Sequence, residues 1–444
     1  MTIAGEPPLT LDQAPARSLG LGDQLALWAN LGVSLLLPVT ATFLLAPGMS
    51  LLAALTAVLV GTIIGNVLLG LSAVPGAETG APAMVLMRGL FGRRGSYAPT
   101  VVNLVQCLGW SVFEIVIMAE TANRVVGGGW RWQFVLIAGA ISTLMAIRPL
   151  AVVHILKRYA VWVVLASTLY LFVEVFRQPL PGLTDGDWNG FWPAADLVAA
   201  LAVSWMPLAA DYTRQAKDAR TAFWGASIGY AVASAAFFVL GILALSGLRV
   251  EPGFDVIDAI IAIPAGGLAL VILVFDEIDE GFANIYSTAV SAQNLVPRVD
   301  RRLLAAGIGT VATLLALLLN IVAYQDFLFL IGSVFVPLFA VFIVDYYVIQ
   351  RRRWDITESA PDRPLLLIPW IVGFVAYQLV NPGTVGWWAD WWMARRTDLH
   401  LDPPAWLSAS LVAFVVASLL TFAVSRPRHA TDDGTELARA TTGA

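Results

Sequence analysis

Residues Ala200–Arg214 read ALAVSWMPLAADYTR. The stretch is apolar enough to lie inside a bilayer, yet Pro207 falls near its middle. Proline removes one backbone hydrogen bond and kinks or breaks a helix. A break at that depth frees amides and carbonyls, which is tolerated only where they line a cavity or find partners in the protein. A second such place comes earlier, at Leu27–Pro38 (LWANLGVSLLLP), with Asn30 and Gly32. Counted in apolar spans, the two stretches are the first and the sixth. An inverted repeat of five helices predicts that spacing for its two discontinuous helices.

Composition requires a membrane reading. Of 444 residues, 58% are hydrophobic and 13% charged, and mean hydropathy is +0.77. Soluble domains carry about 25% charged residues, and three soluble domains with so few charges could not keep this apolar mass hydrated. A hydrocarbon core of about 30 Å needs roughly 20 apolar residues per helix. Scanning on that basis predicts an all-α integral membrane protein with 12 transmembrane helices, near 24–47, 50–73, 97–123, 130–149, 158–176, 191–212, 221–247, 264–295, 303–322, 325–349, 364–382 and 405–425. The chain then divides into a cytoplasmic tail 1–22, a first five-helix repeat 23–176, a second repeat 177–353, helices 11 and 12 within 354–426, and a cytoplasmic tail 427–444.

The basic residues test the count, because Lys and Arg collect on cytoplasmic loops. With the N-terminus inside, the inner loops hold Arg88, Arg93 and Arg94; Arg148, Lys157 and Arg158; Arg214, Lys217 and Arg220; Arg298, Arg301 and Arg302; and Arg351, Arg352, Arg353 and Arg363. Arg17, Arg426, Arg428 and Arg439 fall on the inner tails. Only Arg124, Arg131, Arg177, Arg249, Arg395 and Arg396 fall outside, so of the 26 basic residues 20 are inside. A miscount by one helix would scramble this alternation. Both termini are therefore expected in the cytoplasm and the chain in the inner (plasma) membrane. Outside, Trp387, Trp388, Trp391 and Trp392 suit an interfacial aromatic belt. The first twenty residues lack a basic segment followed by an apolar run, so no cleavable signal is expected. No block is basic enough for nucleic acid. A single cysteine, Cys107, leaves no internal disulfide or cysteine metal site. No cofactor is expected, and composition does not define the oligomeric state.

Polar groups at mid-membrane depth are costly and mark function. In Val101–Glu120, Gln106, Trp110 and Glu114 recur every four residues and share a helix face. They offer an amide, a flat ring and a carboxylate, a combination that can stack on and hydrogen-bond to a flat heteroaromatic ligand; the alternative is packing plus a buried pair. In the sixth span Ser204 and Trp205 adjoin the proline, with Asp211 and Tyr212 as structural or gating groups at its inner end. The eighth, Leu270–Leu295, reads LVILVFDEIDEGFANIYSTAVSAQNL. Asp276, Glu277, Asp279 and Glu280 fall within one and a half turns. They cannot all remain ionised and unpaired; some hold protons, face a wet cavity or hold a cation, unless they cap a shorter helix.

Several stretches resemble the nucleobase–cation symporter-1 family of cytosine, purine, allantoin and hydantoin permeases. They are LWANLGVS, Gly70–Ser96 (GLSAVPGAETGAPAMVLMRGLFGRRGS), QCLGW, SWMPLAADYTR, ANIYSTAVS and DYYVIQRR, in order between Asp23 and about Arg353. The resemblance implies a LeuT-type fold of two inverted five-helix repeats plus two C-terminal helices, with helices 1 and 6 discontinuous. It implies import of a small flat nitrogen heterocycle by cation-coupled alternating access. It places the ring between Trp110 and Trp205, with Glu114, Asn284 and Thr288 at its edge and Ser204 beside it; Gln106 joins this set from the stripe. Relatives with a sodium site use two adjacent hydroxyl side chains where this chain has Phe282 and Ala283, and Thr288 stands where they often have asparagine. The coupling ion is H+ or Na+, with Asp279, Glu280, Asp276 and Gly32 as the coupling positions. Glu114 favours cytosine or a related aminopyrimidine, and GFANIYSTAVS with its acidic flank is similar to the branch linked to hydroxymethylpyrimidine. The alternative is a sodium-coupled purine, allantoin or hydantoin permease. From other classes, a membrane enzyme lacks a catalytic set, since His154, His400 and His429 lie in loops or tails; a channel lacks a filter segment; a receptor is the remaining rival. Gating is expected near Phe329.

Overall fold

The computed structural model describes residues 9–11, 15–248, 255–319, 324–404 and 406–427, without the side chains of 149–161, 248 and 255. Arg249, Arg428, His429 and Arg439, the side chains of His154, Lys157 and Arg158, and most of both tails lie outside the described residues. Among the described residues the architecture is all-helical, with only isolated bridges joining Leu19 to Ala216 and Met49 to Asp187.

In chain order the helices are α1 (Leu21–Asn30), α2 (Leu36–Thr40), α3 (Leu51–Thr79), α4 (Ala83–Gly95), α5 (Tyr97–Val125), α6 (Arg131–Ile147), α7 (Pro149–Phe176), α8 (Phe191–Ser204), α9 (Met206–Thr213), α10 (Ala219–Leu248), α11 (Asp255–Ala262), α12 (Gly266–Ala292), α13 (Arg301–Leu318), α14 (Tyr324–Ile343), α15 (Leu367–Val380), α16 (Gly386–Asp398) and α17 (Ala409–Val424). A π-helical turn, Val344–Ile349, continues α14. Among the described residues, six stretches are long and apolar enough to cross a membrane. Their outward faces carry Leu59, Ile63, Val105, Leu314 and Leu318, all exposed. A lipid solvent accepts such a surface and water does not.

Three helices lie outside the twelve apolar stretches. α4 starts after Pro82, and the Asp211 carboxylate accepts the Ala83 amide at 2.9 Å, capping α4 from the end of α9. α11 is short. α16 carries the four tryptophans: Trp387 and Trp391 are exposed, and the Trp388 ring donates to the Gln378 amide oxygen at 2.9 Å.

The two stretches flagged in the sequence behave differently. Residues 31–35 belong to neither α1 nor α2. Between α8 and α9 only Trp205 intervenes, with φ −83° and ψ −16°. Its amide bonds to Ala202 O at 3.2 Å and its carbonyl accepts the Leu208 amide at 3.0 Å, a local tightening of the helix. Pro207 sits in the first turn of α9, where its missing N–H is inexpensive.

Helices α1, α3, α8, α9 and α10 pack together; α5, α6, α12 and α13 form a second group; α14, α15 and α17 form a third. Small residues allow the closest approaches. A Cβ on Gly61 would fall 2.4 Å from the Ala195 carbonyl, and one on Gly65 2.8 Å from that of Ala199, so α3 meets α8 backbone to backbone. At one end, fully buried Asp345 accepts both guanidinium edges of Arg363 (2.6 and 2.8 Å), the Trp354 ring nitrogen (2.7 Å) and the Ser425 hydroxyl (2.6 Å). This ties α14 to the segments before α15 and after α17. Arg363→Ala strands a buried carboxylate and is expected to cost about 3–5 kcal/mol. A thermal unfolding midpoint equal to that of the parent protein would refute this account.

Candidate functional site

Ten residues of α12 precede Asp276, so the acidic cluster lies within the helix and does not cap its end. Asp276, Glu277 and Glu280 are buried and Asp279 half-buried. Glu277 meets the gap in the first span: one carboxylate oxygen accepts the Ser34 hydroxyl at 2.8 Å and the other the Leu35 amide at 2.7 Å. Asp279 accepts the Asn30 amide at 2.7 Å. The two carboxylates therefore hold opposite ends of the same non-helical segment. Gly32 within it is a packing position, since a Cβ there would lie 2.9 Å from both the Tyr230 carbonyl and the Ala233 Cβ of α10.

Between α2, α5, α8–α9, α10, α12 and α14 lies a small cavity. Ser34, Trp110, Glu114, Ser204, Trp205, Tyr230, Glu280, Asn284 and Tyr324 line it with four leucines. About 20 Å³ of it is open to the centre of a water-sized sphere, room for about one water. A heterocycle needs more, so ring entry requires the walls to move apart.

The walls are tied to one another. Trp205 donates to the Tyr230 hydroxyl at 3.1 Å and meets Trp28 edge-on at 6.0 Å. Trp110 lies edge-on to Tyr324 and Phe327 of α14, at 5.9 and 5.4 Å, and the Tyr324 and Thr40 hydroxyls are 3.1 Å apart. The Glu114 and Glu280 carboxyls face the same cavity. Neither oxygen of Glu114 has a donor among the described protein groups, and neither does the Trp110 ring nitrogen have an acceptor. The cavity thus combines two indole rings, two carboxyls and unspent hydrogen-bonding capacity.

The residues singled out in the sequence divide into two sets. Trp110, Glu114, Ser204, Trp205, Asn284 and Glu280 converge on the cavity. Gln106 stands behind it, donating to the Ser204 carbonyl at 2.8 Å beside the α8–α9 junction. Thr288 donates to the Asn284 carbonyl at 2.6 Å and stands one turn beyond the cavity. Asp276 and Asp279 lie outside the lining. Phe329 lines a separate pocket with Gln378 and Trp388, whereas its neighbours Tyr324 and Phe327 pack against Trp110. Tyr230, Tyr324 and the clasp formed by Glu277 escaped the sequence reading. Two isolated tyrosines give no periodic signal, and Glu277 faces a partner 242 residues away.

Residues 14–363 match the family model described as permease for cytosine/purines, uracil, thiamine and allantoin. The chain belongs to this family. It is a permease rather than an enzyme, and a multi-pass membrane protein. It is 23% identical over 439 residues to the putative purine-cytosine permease YxlA of Bacillus subtilis, covering 91% of this chain and 92% of that one. It is 26% identical over 312 residues to the cytosine permease of Escherichia coli, covering 66% and 70%. The solved structure of Mhp1, a nucleobase-cation-symport-1 family transporter in a closed conformation with bromovinylhydantoin bound, matches with a TM-score of 0.74 at 16% identity, over 95% of this chain and 96% of that one. The permease therefore has the Mhp1 fold.

Glu277→Ala would leave the Leu35 amide and the Ser34 hydroxyl without their acceptor, at about 1–3 kcal/mol each. Backbone amides of residues 31–36 should then exchange hydrogen faster while the α3–α8 interface stays protected. Unchanged protection at Leu35 would remove the clasp from the account.

Proposed function

We propose that this permease imports cytosine or a related aminopyrimidine such as hydroxymethylpyrimidine, coupled to the entry of a cation. The observation that carries the reading is the convergence of Glu114 and Glu280 with Trp110 and Trp205 on one cavity. Carboxylates are acceptors when ionised. An edge made of two of them suits a ring that presents donors: an exocyclic amine and a ring nitrogen that holds a proton. A diketo ring presents carbonyl oxygens and fits less well. The relatives named as cytosine permeases support the same substrate class.

The coupling ion we propose is the proton. Two carboxyls facing one small buried cavity repel each other when both are ionised, and protonating one of them relieves this. Glu277 is already supplied with donors from the first span, so a proton shared by Glu114 and Glu280 satisfies all three groups. Phe282 and Ala283 offer no side-chain oxygen for sodium. Asp279 takes its donor from Asn30 and can link proton occupancy to the position of α1.

The architecture we propose is the twelve-span arrangement. Six long apolar stretches, four shorter apolar helices, the interrupted α1–α2 and the acidic α12 make up that number. Both termini are cytoplasmic, the membrane is the inner (plasma) membrane, and helices 1 and 6 are discontinuous about the cavity. Alternating access then consists of rocking the α1, α3, α8–α10 group against the α5, α6, α12, α13 group, with ring and proton favouring the same closure.

Uptake of labelled cytosine into proteoliposomes tests the reading. An inward proton gradient without sodium should drive accumulation, and counterflow should be saturable. Strict sodium dependence with no response to the pH gradient would overturn proton coupling and favour the sodium-coupled purine, allantoin or hydantoin alternative. Glu114→Gln should raise the apparent KM for an aminopyrimidine about 10- to 100-fold, the loss of one charge-assisted hydrogen bond; unchanged uptake would remove Glu114 from recognition.

A further inference from the structure

A second cavity, of about 790 Å³ by the same water-sphere measure, opens at the end of the molecule that carries α4. That end is cytoplasmic in the orientation proposed above. Arg88, Arg214 and Arg298 line the cavity together with Thr79, Thr357 and Glu358. Arg88 is 4% exposed and Arg214 3%. Neither is ion-paired among the described residues, and Arg88 Nη2 and Arg214 Nε have no acceptor. Both are held in place rather than loose. Arg88 Nε donates to Asn294 at 2.8 Å, and the Asn294 amide donates in turn to Thr100 and Ser96. Arg214 Nη2 donates to the Tyr286 hydroxyl at 3.3 Å. Glu358 is exposed; its charge acts on Arg88, and that of Asp211 on Arg214, but neither carboxylate forms an ion pair with them among the described residues. Burial, with Arg93 nearby, pulls the Arg88 guanidinium below its ordinary value.

Two buried, positioned and unpaired guanidinium groups on one cavity are expensive unless an anion completes them. Their forked donors match the oxygens of a phosphate group better than a point charge would. We propose that this cavity binds a phosphate group, carried by a soluble phosphate compound or a lipid headgroup. The three arginines come from α4, from the residue after α9 and from the segment after α12. A phosphate held among them ties both packed helix groups together at this end, away from the central cavity, and therefore stabilises the fold.

The full-length protein in detergent, with inorganic phosphate as the soluble probe and chloride at matched ionic strength as control, gives the test. A saturable rise of the unfolding midpoint with phosphate, absent with chloride, is the expected result. Arg88→Gln and Arg214→Gln should each weaken it about tenfold, the loss of one charge-assisted contact. Should those variants not fold, Arg298→Gln decides, since Arg298 is exposed; a severalfold weakening supports the site and an unchanged response overturns it. A lipid arm compares vesicles of phosphatidylcholine with vesicles containing phosphatidylglycerol. Arginine-dependent stabilisation by the anionic lipid alone assigns the phosphate to a headgroup. No arginine-dependent stabilisation in either arm overturns the proposal. None of these readouts requires transport, so their failure is distinct from failure of the import reading.

Discussion

The Glu277 carboxylate holds the first span open. A helix crossing hydrocarbon cannot leave amides free, because lipid offers no acceptor. Residues 31–35 depart from helix because a carboxylate from α12 takes the Leu35 amide and the Ser34 hydroxyl. Much else follows from that pair of bonds. Ser34 can face the cavity, α2 can start at a new angle, and Tyr324 can reach the Thr40 hydroxyl. The same contact couples the two packed helix groups, since α1 and α12 belong to different ones. Any motion that parts the groups must therefore address Glu277 or carry it along.

Small residues serve the complementary purpose. Where α3 meets α8, glycine lets backbones touch and the dispersion contact is continuous. Around the cavity, large rings stand edge-on to one another and leave polar atoms unspent. The first surface suits elements that move as one body, and the second suits a site whose contacts are completed from outside. Asp345 and its donors add a third kind of joint, an ion-paired knot that binds the last helices to the π-helical turn after α14.

Much of this was legible in the sequence for particular reasons. The six long apolar stretches declare themselves because each is nearly free of charge over about twenty residues. Trp110 and Glu114 declare themselves by a period of four on one helix. The acidic run at Asp276–Glu280 is conspicuous because hydrocarbon makes carboxylates rare. What escaped has the opposite character. Tyr230 and Tyr324 are single side chains in ordinary company. The three short helices α4, α11 and α16 carry too little apolar length to register as spans. α4 takes its cap from Asp211, more than a hundred residues away, a contact that no local pattern encodes. The proline at 207 signalled a break, yet a first-turn position made it nearly free, and the interruption there narrows to Trp205.

The crowding of the central cavity has a consequence for timing rather than for recognition. With room for about one water, the cavity admits a ring only as the contacts of Trp110 with Tyr324 and of Trp205 with Tyr230 give way. Making room and binding are then one event, and the rings that guard the site are the same rings that receive the ligand.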